Sequence, residues 1–119
     1  VRKLSDIIAS EKLFGQHPGE ERFPITIEIG RPYKWGGTSP TEWACPVKIR
    51  PFDNLSIDSH GEGSFQALCL ALYRVQLQLV HFKEEGGILL YEDGQEFSLN
   101  VYWHSNEAAA AMMSDNGKA

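Results

Sequence analysis

Between Ser64 and Phe82 the chain carries its only long stretch with a helical period, and that stretch limits what the rest can fold into. Phe65, Leu68, Leu72, Val75, Leu79 and Phe82 follow one another at intervals of three or four residues. This spacing places six large apolar side chains on one stripe of an α-helix, which Cys69 and Val80 widen, while Gln66, Arg74, Gln78 and His81 gather elsewhere. Full burial of six such side chains is worth roughly 9–18 kcal/mol before ordering entropy is subtracted, so the stripe predicts a helix that anchors a core and needs a partner surface. Ser64 is the expected N-cap, and Gly86-Gly87 the expected stop, because glycine tolerates the left-handed turn that ends a helix.

That partner surface is expected to be a sheet. Phe23, Ile25, Ile27 and Ile29 alternate with Pro24, Thr26 and Glu28, and Trp43, Cys45, Val47 and Ile49 alternate with Ala44, Pro46 and Lys48. Each run reads as a strand with one buried and one wet face, and the two are expected to pair as a hairpin. The prolines ask for a strand start, an edge or a bulge. Residues 5–14 read as a strand or as a short helix, with the balance toward strand, and Pro18-Gly19 marks a turn. Leu55-Ser56-Ile57 is a further short strand, followed by a loop from Asp58 to Gly63. After the helix, Ile88–Tyr91 and Phe97–Trp103 flank an Asp93-Gly94 hairpin signal. Strands, one long helix, then strands predict an α+β domain of two layers: an antiparallel sheet of about four to six strands with the helix packed across one face.

A chain of 119 residues suits one such domain, expected over residues 1–105, with 106–119 as a tail that is either a short alanine-driven helix or disordered. The longest apolar run, Ala67–Tyr73, is too short to span a bilayer. No signal-peptide core follows Val1-Arg2-Lys3, and the chain opens without Met, so a removed upstream segment is left open. A soluble cytoplasmic protein is the expectation.

The net charge is −5, unevenly placed. Residues 22–50 carry five basic groups (Arg22, Arg31, Lys34, Lys48, Arg50) against Glu28 and Glu42, whereas residues 51–119 carry three basic groups against ten acidic ones. An acidic total argues against a phosphate-backbone binder, so no nucleic-acid partner is expected, while the polarity suits a charged protein partner.

Three segments in order, Ile29-Gly30-Arg31-Pro32, Trp43-Ala44-Cys45-Pro46-Val47-Lys48-Ile49 and Gly63-Ser64-Phe65-Gln66-Ala67-Leu68-Cys69-Leu70-Ala71-Leu72, carry a family likeness. They resemble a group of small bacterial proteins classed as a domain of unknown function, with the patterns I-G-x-P, W-x-C-P-x-x-I and Q-A-L-x-L-A-L. The likeness covers roughly residues 5–82. It implies a small cytosolic bacterial protein and supplies no catalytic residue.

The chemistry-bearing residues point in several directions. His17, His60, His81 and His104 with Cys45 and Cys69 show neither Cys-x-x-Cys nor His-x-x-x-His spacing, so no metal site and no cofactor is expected. Both cysteines lie on apolar faces and are expected as reduced core thiols. The His60-Gly61-Glu62-Gly63-Ser64 entrance to the helix lacks the lysine of a phosphate-binding loop and reads as a cap. The aromatic connection carrying Arg31, Tyr33, Lys34 and Trp35 is the leading binding candidate, since Tyr, Trp and Arg dominate binding hot spots, and Trp103-His104 is a second patch. The alternative for Trp35 is self-packing against the sheet edge. The function expected is therefore a non-catalytic interaction domain, of accessory or immunity type. Its rivals are a small-ligand or enzymatic site near Cys45, His60 and Arg50, and a homodimer joined through a sheet face or edge strand.

Overall fold

The computed structural model describes residues 6–37, 39–53 and 57–103, with the backbone alone of Ile57. His104 and the expected tail lie outside the described residues, as do Leu55 and Ser56. Six strands form one sheet: β1 (Ile7–Gln16), β2 (Phe23–Gly30), β3 (Tyr33–Lys34), β4 (Trp43–Arg50), β5 (Ile57–Gly61) and β6 (Ile88–Leu90). The path runs β3-β4-β2-β1-β6, β5 also pairs with β4, and every pairing is antiparallel. One helix, α1 (Ser64–Glu84), covers one face and lies mainly over β4 and β5. The fold is the expected α+β arrangement with a single long helix.

Period-two alternation places the sheet side of the core. Leu13 pairs with Ile25, and Ile27 pairs with Ile49, so Leu13, Ile25, Ile27, Ile29, Cys45, Val47 and Ile49 face the helix, all buried. Pro46 is tolerated in the middle of the sheet because it falls where β2 has ended and β3 has not begun along that side of β4. β5 corrects one expectation. Asp58, Ser59, His60 and Gly61 have low strand propensity and read as a loop, yet the free side of β4 templates them as a strand.

The helix stripe is corrected at its N-terminal half. Val75, Leu79 and Phe82 are buried as expected, but ahead of them it is Ala67 and Ala71 that face the sheet, and Phe65 is 77% exposed. The cause is a close approach: a Cβ on Gly61 would stand 2.7 Å from the Ala67 amide nitrogen. Only small side chains fit between helix and strand there, so the alanines turn inward and the larger residues turn out. Cys69 turns out with them and is exposed, contrary to its expected place in the core. The N-cap is Gly63 rather than Ser64, and Gln66 reaches back to accept from the Glu62 N–H. At the other end Gly86, at φ +94°, donates to Lys83 and Gly87 donates to Phe82, closing the helix with a Schellman turn.

After the helix, Phe97 donates to Leu89, but the strand expected through Trp103 stops there. The Ser98 side chain accepts from the Asn100 N–H and starts a 3-10 turn at Leu99–Val101. Short polar side chains that bond their own backbone compete with a ladder in this way.

Candidate functional site

Alternation along β3, β4 and β5 builds a polar and aromatic cluster on the face away from α1. Tyr33 and His60 both pair with Ala44, on opposite sides of β4, so their side chains share that face. Asp58 pairs with Pro46, two residues along, and its Oδ2 accepts a short hydrogen bond from the Tyr33 hydroxyl. Together these groups cover Ala44 and Pro46, which are buried although α1 lies on the other face.

Trp35 continues the β3–β4 pairing, its N–H donating to the Glu42 carbonyl. Its indole stands edge-on to His60, with ring centres 5.1 Å apart and planes at 88°. Glu42 holds His60 from the other side, with Oε2 2.6 Å from Nδ1. Gly37 completes the seat, since a Cβ there would come within 2.1 Å of Trp35 Nε1. The indole is thus fixed on two sides and still 42% exposed.

The other sequence candidates scatter. Lys34 pairs with Trp43 and points to the opposite side from its neighbours Tyr33 and Trp35. Arg31 is tied to Asp6 by an exposed ion pair at 2.8 Å. Trp103 packs against Tyr102 on the helix side of the sheet, where it helps line a separate groove. Cys45 is buried, its thiol directed at the Gly30 carbonyl, with its pKa pushed up to about 11 by burial and then by the Asp58 charge. Because Cys45 pairs with Ser59 and its neighbour Ala44 with His60, Cys45 and His60 lie on opposite faces. Arg50 shares the His60 face but sits six residues beyond Ala44, roughly 20 Å away at the strand rise. The three do not form one site.

Sequence reasoning missed two features. Glu42 carries no motif, and only the register brings it to His60. The groove, of about 390 Å³, lies between sheet, helix and the 3-10 turn, with Ile27, Ile29, Leu72 and Val75 forming its apolar walls. The buried Tyr102 hydroxyl lies beside it, and its pKa is raised by burial and then by the charge of Glu11, toward which the hydroxyl donates. The one legible signal was Glu11 on the core-side row of β1, opposite Ile27. Among the described residues no group of three or more His, Cys, Asp or Glu could hold a metal ion, and no helix is long and apolar enough to cross a membrane.

Sheet, helix and cluster define a two-layer α+β domain with a decorated open face. The chain belongs to the family of the domain of unknown function DUF6968, whose family model matches residues 11–101. That match extends through β6 and the 3-10 turn, beyond the stretch covered by the sequence resemblance. Searches of curated proteins and of solved structures gave no match.

Proposed function

We propose that this domain acts by protein contact rather than catalysis, as an accessory or immunity-type partner in the bacterial cytoplasm, with Trp35 as its anchor. The supporting observation is the seat itself: a large aromatic side chain held by His60 and Gly37, yet presented to solvent. A fixed anchor loses little rotamer freedom on binding, which is what distinguishes hot-spot aromatics from mobile surface ones. Farther along the same face, Lys12, Lys48 and Arg50 outnumber Glu28, which lies opposite Lys48, so this end of the surface suits an acidic protein.

The test compares wild type with Trp35→Ala. Affinity capture identifies the partner, and titration of the two purified proteins then measures it. Trp35→Ala should weaken binding by at least about tenfold with unchanged circular dichroism. Equal affinity of the two forms would sink the proposal.

A second reading, small-ligand binding, is favoured by one observation, the apolar groove with Tyr102 and Glu11 as polar groups in its lining. A ligand there would raise the melting temperature of wild type, and Ile29→Trp, which fills the groove, would remove that shift. A shift that persists in Ile29→Trp would place the ligand elsewhere.

A further inference from the structure

The outward face of α1 is apolar where a surface helix should be polar. Leu70, Tyr73, Leu77 and Val80 recur at intervals of three, four and three, an a/d stripe on the side away from the sheet, and Phe65 and Leu72 flank it. Tyr73 is 53% exposed and Leu77 51%. Across the whole face from Phe65 to Val80 the only formal charge is Arg74, and Asp53 at 3.0 Å already neutralises it.

From this surface we infer that the domain forms a two-fold dimer through the outer faces of two antiparallel α1 helices. Three observations select a second copy of this chain as the occupant. An uncharged stripe is self-complementary, because bringing it against itself buries no like charges, whereas an acidic or basic partner would find nothing to pair with. The area is sufficient: the exposed parts of Phe65, Leu70, Leu72, Tyr73 and Leu77 amount to roughly 500 Å² per copy, or about 1,000 Å² across the pair, the lower bound of a specific interface. The ends also complement one another. With the axis midway between Tyr73 and Leu77, the centre of the Leu70–Val80 stripe, an antiparallel partner brings Glu84 beside Gln66 in the first turn of α1, which has no acidic residue of its own and carries the positive end of the helix dipole. A parallel pair would instead stack Glu84 on Glu84. This dimer leaves the Trp35 face free, so it stands or falls independently of the proposed function.

The test is solution mass by sedimentation velocity over a wide concentration range, with a charge exchange beside the axis. Wild type should sediment as a dimer. Tyr73→Glu alone and Tyr73→Lys alone should each weaken association by more than about tenfold, by placing like charges together. An equimolar mixture of the two should recover the dimer, which misfolding of either variant could not produce. Trp35→Ala should stay dimeric. A monomeric wild type at all concentrations, a dimer indifferent to both Tyr73 substitutions, or a mixture that stays monomeric would each overturn the inference.

Discussion

Glu42 and His60 stand 2.6 Å apart, carboxylate oxygen to imidazole Nδ1, on the sheet face opposite the helix. Neither residue belongs to a motif, and they are eighteen positions apart. Antiparallel pairing of β4 with β5 joins them, and their contact orients the ring on which Trp35 rests. The pair is partly exposed, so its contribution to stability is small. Its consequence is the placing of the indole.

Glu42→Ala should therefore separate stability from binding. Unfolding free energy should change by less than about 1 kcal/mol, as for other exposed ion pairs. Partner affinity should fall, because Trp35 must then be ordered on binding. Denaturant unfolding measures the first and titration with the purified partner the second. Gly37→Ala should act in the same direction, since its new methyl group would collide with the indole.

Cys45 and Cys69 should differ sharply toward a thiol reagent. Cys69 lies exposed on the outer side of α1, whereas Cys45 is fully buried and its thiolate is disfavoured. In the folded protein at neutral pH, at low protein concentration where association does not cover the outer face of α1, one thiol should titrate rapidly with iodoacetamide and the second only on unfolding, with mass spectrometry assigning the fast site to Cys69. Rapid labelling of both would mean that Cys45 is not sealed between sheet and helix.

The same burial fixes the sign of an alkaline effect. The Cys45 pKa is raised from 9.0 to about 11, so between those values the folded state binds the proton more tightly than the unfolded chain. The stabilisation is complete below pH 9 and is lost as pH rises through 11, with an upper bound of ~2–3 kcal/mol. Tyr102, also raised, acts with the same sign at higher pH. Cys45→Ala should be less stable at neutral pH because of its cavity, and its stability should decline less steeply from pH 9 to 11 in denaturant titrations.

What the sequence made legible depended on whether neighbours along the chain or neighbours in space decide the matter. β2 and β4 declare themselves because Ile25, Ile27, Val47 and Ile49 alternate, and the Schellman turn because Gly86 follows the last helical residues. β5 was hidden, since Asp58-Ser59-His60-Gly61 becomes a strand only through the free side of β4. Tyr33 and Trp35 were recognised as candidates, but their separation from Lys34 and their union with His60 and Glu42 follow from register. The helix face misled at one end for a similar reason. Periodicity counts large apolar residues, and two such faces exist on α1; the approach of Gly61 decides in favour of the alanines.

The half-buried ion pair of Arg74 with Asp53 ties α1 to the turn after β4, with Nη2 3.0 Å and Nε 3.3 Å from the same carboxylate oxygen. Asp53→Asn keeps the shape and removes the charge, and should cost about 1 kcal/mol. Arg74→Met should cost more, because it leaves the Asp53 carboxylate, whose side chain is only 13% exposed, without its partner. The double variant should lose less than the sum of the two, and a chemical-denaturation cycle measures the difference. Strict additivity would show that the two side chains do not act on each other.

The inward turn of the alanines gives the sharpest test of how α1 sits. Ala71→Leu places a large side chain at a fully buried position between α1 and the sheet, one turn beyond the close approach of Gly61 to Ala67, and overpacking there should destabilise the domain by roughly 1–3 kcal/mol. Phe65→Ser, a far larger loss of apolar character, should leave the monomer's stability within about 0.5 kcal/mol, because the ring contributes little to the core. If the six-residue stripe from Phe65 to Phe82 faced the sheet instead, the order would reverse, with Phe65→Ser the damaging change and Ala71→Leu the neutral one. Thermal and urea unfolding of the two variants at low protein concentration, where association does not contribute, separates the two orientations of the helix.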